Sequence, residues 1–121
     1  MYRLNRPIND AEEITANLLT ANPDKDSVTA IFAAWDEPAI GAAKALAEAG
    51  RDEVIVTGVD GNEQAVQMIK DGSCLKATVK QNFEGMAEIV CQQMKKYYAG
   101  ETIEKGEMYA PAELITQENA Q

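Results

Sequence analysis

The stretch from Val28 to Gly50 sets most of what this chain can become. An uncharged run, Val28-Thr-Ala-Ile-Phe-Ala-Ala-Trp35, meets Asp36-Glu37-Pro38 and passes into an alanine-rich segment closed by a glycine. Eight uncharged residues are too few for a globular helix and leave no polar face, so the run up to Ala34 predicts a buried strand. Asp36 ends it: its carboxylate suits the free N–H groups of a first helical turn, and Pro38 sits where a missing donor is tolerated. Ile40, Ala43, Leu46 and Ala47 then recur at helical spacing, with Lys44, Glu48 and Arg51 opposite and Gly50 as the left-handed stop. The turn at Trp35 and Asp36 therefore falls at the carboxyl end of a strand, the edge where open parallel sheets bind ligands.

The same unit recurs downstream. Glu53 to Val59 is a second apolar run ended by an acid, Asp60, beside Gly61; Asn62 to Lys70 predicts a short helix with Ala65, Val66 and Ile69 inward. Leu75 to Val79 predicts a third strand, ending at Gln81. Upstream, Tyr2 and Leu4 alternate with arginines, which predicts an edge strand over residues 1–6. Asn9 with Glu12 has the form of a capping box, opening a helix whose inner face is Ala11, Ile14, Leu18 and Leu19 and which Asn22-Pro23 ends. Asp24 to Ser27 form a polar loop. Phe83 to Ala99 carries Met86, Ile89, Val90, Met94 and Tyr97 at helical spacing and stops at Gly100. A charged linker, Glu101 to Glu107, leads to one more strand near Leu114 and Ile115. Strands alternating with helices at this interval predict right-handed crossovers and an α/β fold, a three-layer sandwich around a mainly parallel sheet.

Charge and residue types narrow the function. The 121 residues hold 20 acids against 11 bases, a formal charge of −9 that repels phosphate backbones and anionic membranes, so nucleic acid is not an expected partner. Histidine is absent, and Cys74 and Cys91 lack Cys-x-x-Cys spacing, so no metal, cofactor or imidazole-based catalysis is expected. Gly58 and Gly61 have neither the length nor the lysine of a phosphate-cradling loop, and Asp36-Glu37 point apart, unlike a glycosidase pair. The expectation is a binding protein and not an enzyme. No apolar run approaches the roughly 20 residues that span a bilayer, and the charged start, Met1 to Pro7, does not read as a signal peptide.

A polar or aromatic side chain follows each central strand: Trp35 with Asp36, then Asp60, then Gln81. Parallel strands align their carboxyl ends, so these side chains are expected in one cleft. A carboxylate and an amide each take two hydrogen bonds from neighbouring hydroxyls, and an indole offers a flat apolar face with one N–H, a combination that matches a sugar ring. Each residue also has a plainer reading. Asp36 suits a helix cap, Asp60 a turn residue before Gly61, Trp35 the core, and Gln81 a solvated strand end.

The segments Ile31-Phe-Ala-Ala-Trp-Asp-Glu-Pro-Ala-Ile-Gly-Ala-Ala-Lys-Ala-Leu46, Val54-Ile-Val-Thr-Gly-Val-Asp-Gly61 and Ala77-Thr-Val-Lys-Gln81 resemble, in order and spacing, the carboxyl-terminal part of ribose-type periplasmic sugar-binding proteins. These are the solute-binding components of ABC importers. The resemblance implies one incomplete lobe of a type I periplasmic-binding-protein fold: residues 1–81 as a partial carboxyl-terminal sugar-binding lobe, 82–108 as a crossover helix and linker that would pack on the other lobe, and 109–121 as a returning strand and tail. It implies sugar contacts at Asp60 and Gln81, with Trp35 standing where the family has a ligand-binding asparagine and Val59 where it commonly has a stacking aromatic. It further implies an ABC permease as partner and a periplasmic or cell-surface location for the full-length relative. The apolar stripe from Phe83 to Ala99, without its usual cover, predicts a homo-oligomer or a helix folded back on its own sheet. The alternative reading is the effector-binding domain of a LacI-like transcription regulator, which shares the fold.

Overall fold

The computed structural model describes residues 6–103 and 105–120. Helix α1 (Pro7–Ala21) and a 3₁₀ turn (Lys25–Ser27) precede β1 (Ala30–Phe32), α2 (Asp36–Glu48), β2 (Ile55–Asp60), α3 (Glu63–Lys70), β3 (Leu75–Lys80), α4 (Phe83–Tyr98) and β4 (Glu113–Thr116). The strands form one sheet in the order β1-β2-β3-β4, with the β1–β2 and β2–β3 pairs parallel. The chain divides into two units, Met1–Lys80 with Leu114–Gln121, and Gln81–Glu113. The strand expected over residues 1–6 lies outside the described residues except for Arg6, which is the N-cap of α1.

In the first unit each of β1, β2 and β3 lies beside its successor. Right-handed crossovers between adjacent strands bring α2 and α3 to the same face of the sheet, and the two helices also touch each other. Ile40, Leu46, Val54, Val56, Ile69 and Leu75 fill the space between, each at most 1% exposed. The opposite face is open within this unit: Phe32 and Ile55 are 75% and 47% exposed. The Val28–Ala34 run is thus not the buried strand its composition predicts. Only Ala30 to Phe32 pair, and β2 is β1's one neighbour among the described residues.

Helix α2 is covered on two sides, by the sheet and by α1. That is why Ala39, Ala42, Ala43 and Ala45 are all buried: small side chains let a helix be approached from two directions. The tightest approach is at Gly41, where an added Cβ would lie 2.1 Å from the Ile8 carbonyl oxygen. Two expectations change as a result. The inner face of α1 is Ile8, Thr15 and Leu19, because it follows the α2 surface, while Ile14 and Leu18 are 55% and 41% exposed. On α2, Ala47 is exposed. The first helix also starts three residues early, with Arg6 and not Asn9 as its N-cap. Pro7 takes the position whose N–H has no partner, and the Asp10 carboxylate accepts the Arg6 N–H at 3.3 Å, in place of the expected Asn9–Glu12 box.

Arg51, expected on the solvent side, is 7% exposed. Its guanidinium donates to the carbonyls of Lys25 at 2.7 Å and Val28 at 3.3 Å and to the Glu53 carboxylate at 2.5 Å, so it fastens the segment entering β1 to the start of β2. The same hydrogen bond holds the Glu53 carboxyl below the usual carboxylate range.

The second unit is built on α4. The Asn82 side chain accepts the Gly85 N–H at 2.8 Å and opens the helix, and Gly100, at φ +71°, closes it. No residue of α4 is buried.

Candidate functional site

The site is laid out by the β1–β2–β3 ladder. Because these strands are parallel, Trp35 follows β1 and Asp60 ends β2 at the same edge of the sheet, with Asp60 in register with Lys80 of β3. Gln81 is the next residue of the chain and opens the second unit.

Asp36 is the first residue of α2 and is fully buried, yet it does not cap that helix. One carboxylate oxygen accepts the Thr78 hydroxyl at 2.6 Å and the other accepts the Asn62 backbone N–H at 2.8 Å. The Thr78 hydroxyl in turn accepts the Gly61 N–H at 3.2 Å. The arrangement requires glycine at 58, where a Cβ would stand 2.4 Å from the Asp36 Oδ1. The Asn62 side chain accepts the Ala65 N–H at 2.8 Å and caps α3. One buried carboxylate therefore ties the first turn of α2, the β2–α3 turn and the middle of β3 together, and its hydrogen bonds are charge-assisted and short. Neither Thr78 nor Gly58 stood out in the sequence. The available signal was a lone threonine among apolar neighbours in a predicted strand, which requires a buried partner for its hydroxyl.

The braced turn carries Asp60 in a backbone conformation that side chains rarely adopt, φ +129°, followed by Gly61 at φ +74°. Gly61 is needed there, since a Cβ would come within 2.6 Å of the Lys80 Cβ. Such conformations cost about 1–3 kcal/mol and persist only where the surroundings over-determine them. Here the surroundings are two hydrogen bonds, donated by the Gly61 N–H to the Thr78 hydroxyl and by the Asn62 N–H to the Asp36 carboxylate. Asp60 itself is partly exposed at the edge of the sheet.

Trp35 is extended, 36% exposed, and its indole N–H donates to the Glu37 carboxylate at 3.1 Å. Its polar atom is therefore engaged locally, and what it offers a ligand is ring surface. A groove of about 400 Å³ lies elsewhere, lined by Leu19, Pro23, Ala49 and Arg51. Because α2 begins at the Trp35–Asp60 edge and ends at Glu48, this groove belongs to the opposite end of the sheet. Among the described residues no group of three or more Cys, Asp or Glu side chains is placed to hold a metal ion.

The sequence profile of the periplasmic binding protein domain matches residues 4–102. A ribose import binding protein of Salmonella typhimurium is 47% identical over 68 residues, which are 56% of this chain and 22% of that protein. An ABC sugar transporter subunit from Rhodobacter sphaeroides superposes with a TM-score of 0.87 at 35% identity, over 97% of this chain and 42% of that one. A solute-binding protein from Agrobacterium vitis, solved with bound allitol, does so with a TM-score of 0.85 at 34% identity, over 93% of this chain and 39% of that one. The chain thus spans well under half the length of these relatives.

Proposed function

Since the chain belongs to the periplasmic binding protein domain family, we propose that it is the carboxyl-terminal, sugar-contacting part of an ABC importer's solute receptor, binding a sugar or polyol without chemistry. The observation that carries this reading is Asp60, held in a strained backbone by a buried brace at the carboxyl edge of parallel strands. A rigid carboxylate at that edge accepts two sugar hydroxyls, the exposed Trp35 ring covers the apolar C–H face, and the Gln81 amide supplies a donor and an acceptor. Asp36 acts beneath them as a positioning group. The named relatives, a ribose import protein and a receptor with bound allitol, support a pentose, hexose or hexitol as ligand. They also support a permease as partner of the whole protein and a periplasmic setting. The exposed α4 stripe supports self-association of the isolated chain. Nothing observed favours the transcription-regulator alternative.

Ligand sites of this kind bury about 70–90% of their ligand, and one edge supplies one side only. With each missing hydrogen bond worth about 1 kcal/mol, binding is expected near the millimolar range, about −4 kcal/mol. Calorimetry with D-ribose, allitol and a panel of hexoses tests it: weak, saturable heats that Asp60→Ala abolishes support the reading. Heats unchanged by that substitution overturn it, and micromolar affinity contradicts the one-sided geometry.

A further inference from the structure

Trp35 and Glu37 stand on either side of the residue that braces the site, and they turn the other way. Asp36 is fully buried with both carboxylate oxygens bonded, whereas Trp35 is 36% exposed and Glu37 lies on the surface. The two meet there, the indole N–H donating to the Glu37 Oε2 at 3.1 Å. The indole is therefore held at both ends. At the backbone, the Trp35 carbonyl accepts the Ala39 N–H at 3.4 Å and the residue is fixed as the N-cap of α2. At the far edge of the ring, the acceptor belongs to the first turn of the same helix, and that turn is anchored through Asp36. An acid suits this turn, where the helix dipole favours negative charge. Rotating the ring about either of its side-chain torsions breaks the bond to Glu37.

We propose that Glu37 is a positioning residue for the sugar site: it holds the Trp35 ring as a fixed platform, which selects cyclic sugars over the acyclic alditols of the same carbon number. This role rests on the sugar-binding reading above and narrows its ligand class. A closed sugar ring presents a rigid face of C–H groups, which an aromatic face covers well. An alditol has no such face until its chain is ordered, and ordering costs free energy. The bond to Glu37 serves this choice in two ways. It sets the plane of the platform before the ligand arrives, and it satisfies the indole N–H, so covering Trp35 leaves no donor without a partner. The same bond withholds that N–H from the hydroxyls of an open chain. Asp60 and Gln81 meet hydroxyls that both forms carry, so the choice between them falls to the ring.

Trp35 is the single tryptophan of the chain, so its fluorescence reports this residue alone. The probes are matched pairs, D-allose with allitol and D-ribose with ribitol. Glu37→Gln keeps an oxygen acceptor for the indole N–H and Glu37→Ala removes it; the position is exposed, so neither changes the circular dichroism spectrum. In fluorescence titrations the cyclic member of each pair is expected to bind about fivefold tighter than its alditol. Glu37→Gln keeps most of that ratio, and Glu37→Ala lowers it by more than half. Without ligand, time-resolved anisotropy is expected to show the indole turning with the whole molecule in the wild type and in Glu37→Gln, with a fast local component added in Glu37→Ala. By calorimetry, Trp35→Leu lowers the ratio as Glu37→Ala does, and combining the two lowers it no further, because Glu37 acts through the ring. A wild type that binds both forms alike or prefers the alditol overturns the proposal, as does a wild-type indole that already moves freely. So does a ratio that Glu37→Ala leaves unchanged, that Glu37→Gln lowers as far as Glu37→Ala does, or that falls further in the double variant. Each of these leaves the sugar reading standing, whereas a chain that binds neither member of either pair overturns both.

Discussion

Burying the Asp36 carboxylate is tolerable only because both of its oxygens are hydrogen-bonded. Removing it with Asp36→Ala leaves the Thr78 hydroxyl and the Asn62 N–H without that acceptor, at about 1–3 kcal/mol for each stranded group. Urea denaturation is expected to show a loss of about 3 kcal/mol. Thr78→Val added to Asp36→Ala costs much less than it does alone, since the two groups form one unit. Asp60 behaves oppositely. Asp60→Gly relieves its positive φ and is expected to raise stability by about 1 kcal/mol while sugar binding is lost. A variant that is both less stable and still binds contradicts the assignment of strain to function. The acids at the strand ends were legible in the sequence because each stops an apolar run. Their partners were not: Thr78 lies 42 residues from Asp36 and Asn62 lies 26 away, separations that no local pattern records. For the same reason Asp36 reads in sequence as a helix cap, although it serves a different element.

Element boundaries follow local chemistry, and α2, α3, β3 and α4 begin and end within a residue or so of where their caps, acids and glycines predict. The faces those elements present follow tertiary neighbours. Ile14 and Leu18 of α1 have the spacing of an inner face, but α1 lies on a helix and meets it through the Ile8–Thr15–Leu19 line and the bare backbone beside Gly41. Composition likewise misleads for β1, an uncharged strand that has one strand neighbour among the described residues and is largely exposed. The α1–α2 contact gives a direct test. Gly41→Ala places a methyl group against backbone, which cannot rotate away, so α1 must shift; a destabilisation of about 2–3 kcal/mol in urea is expected, in the range of overpacked cores. Hydrogen exchange is expected to rise in α1 more than in β2. A neutral Gly41→Ala, or exchange rising evenly through the fold, contradicts the packing.

At the scale of the molecule, a family whose solved relatives are more than twice as long is represented here by two units. The first holds a braced edge of three parallel strands, and the second presents a helix without buried residues. Fold class and the order of the units follow from alternating strand and helix patterns, because each βαβ unit is local. The central claim is that the carboxyl edge bearing Trp35 and Asp60 receives the sugar, and a titration of the ¹⁵N-labelled chain with D-ribose and allitol, followed by amide NMR shifts, tests it most directly. The account predicts saturable shifts concentrated at Trp35, Asp60, Gly61, Asn62 and Gln81. Shifts centred instead on the groove of Leu19, Ala49 and Arg51, or none at any sugar concentration, would contradict it.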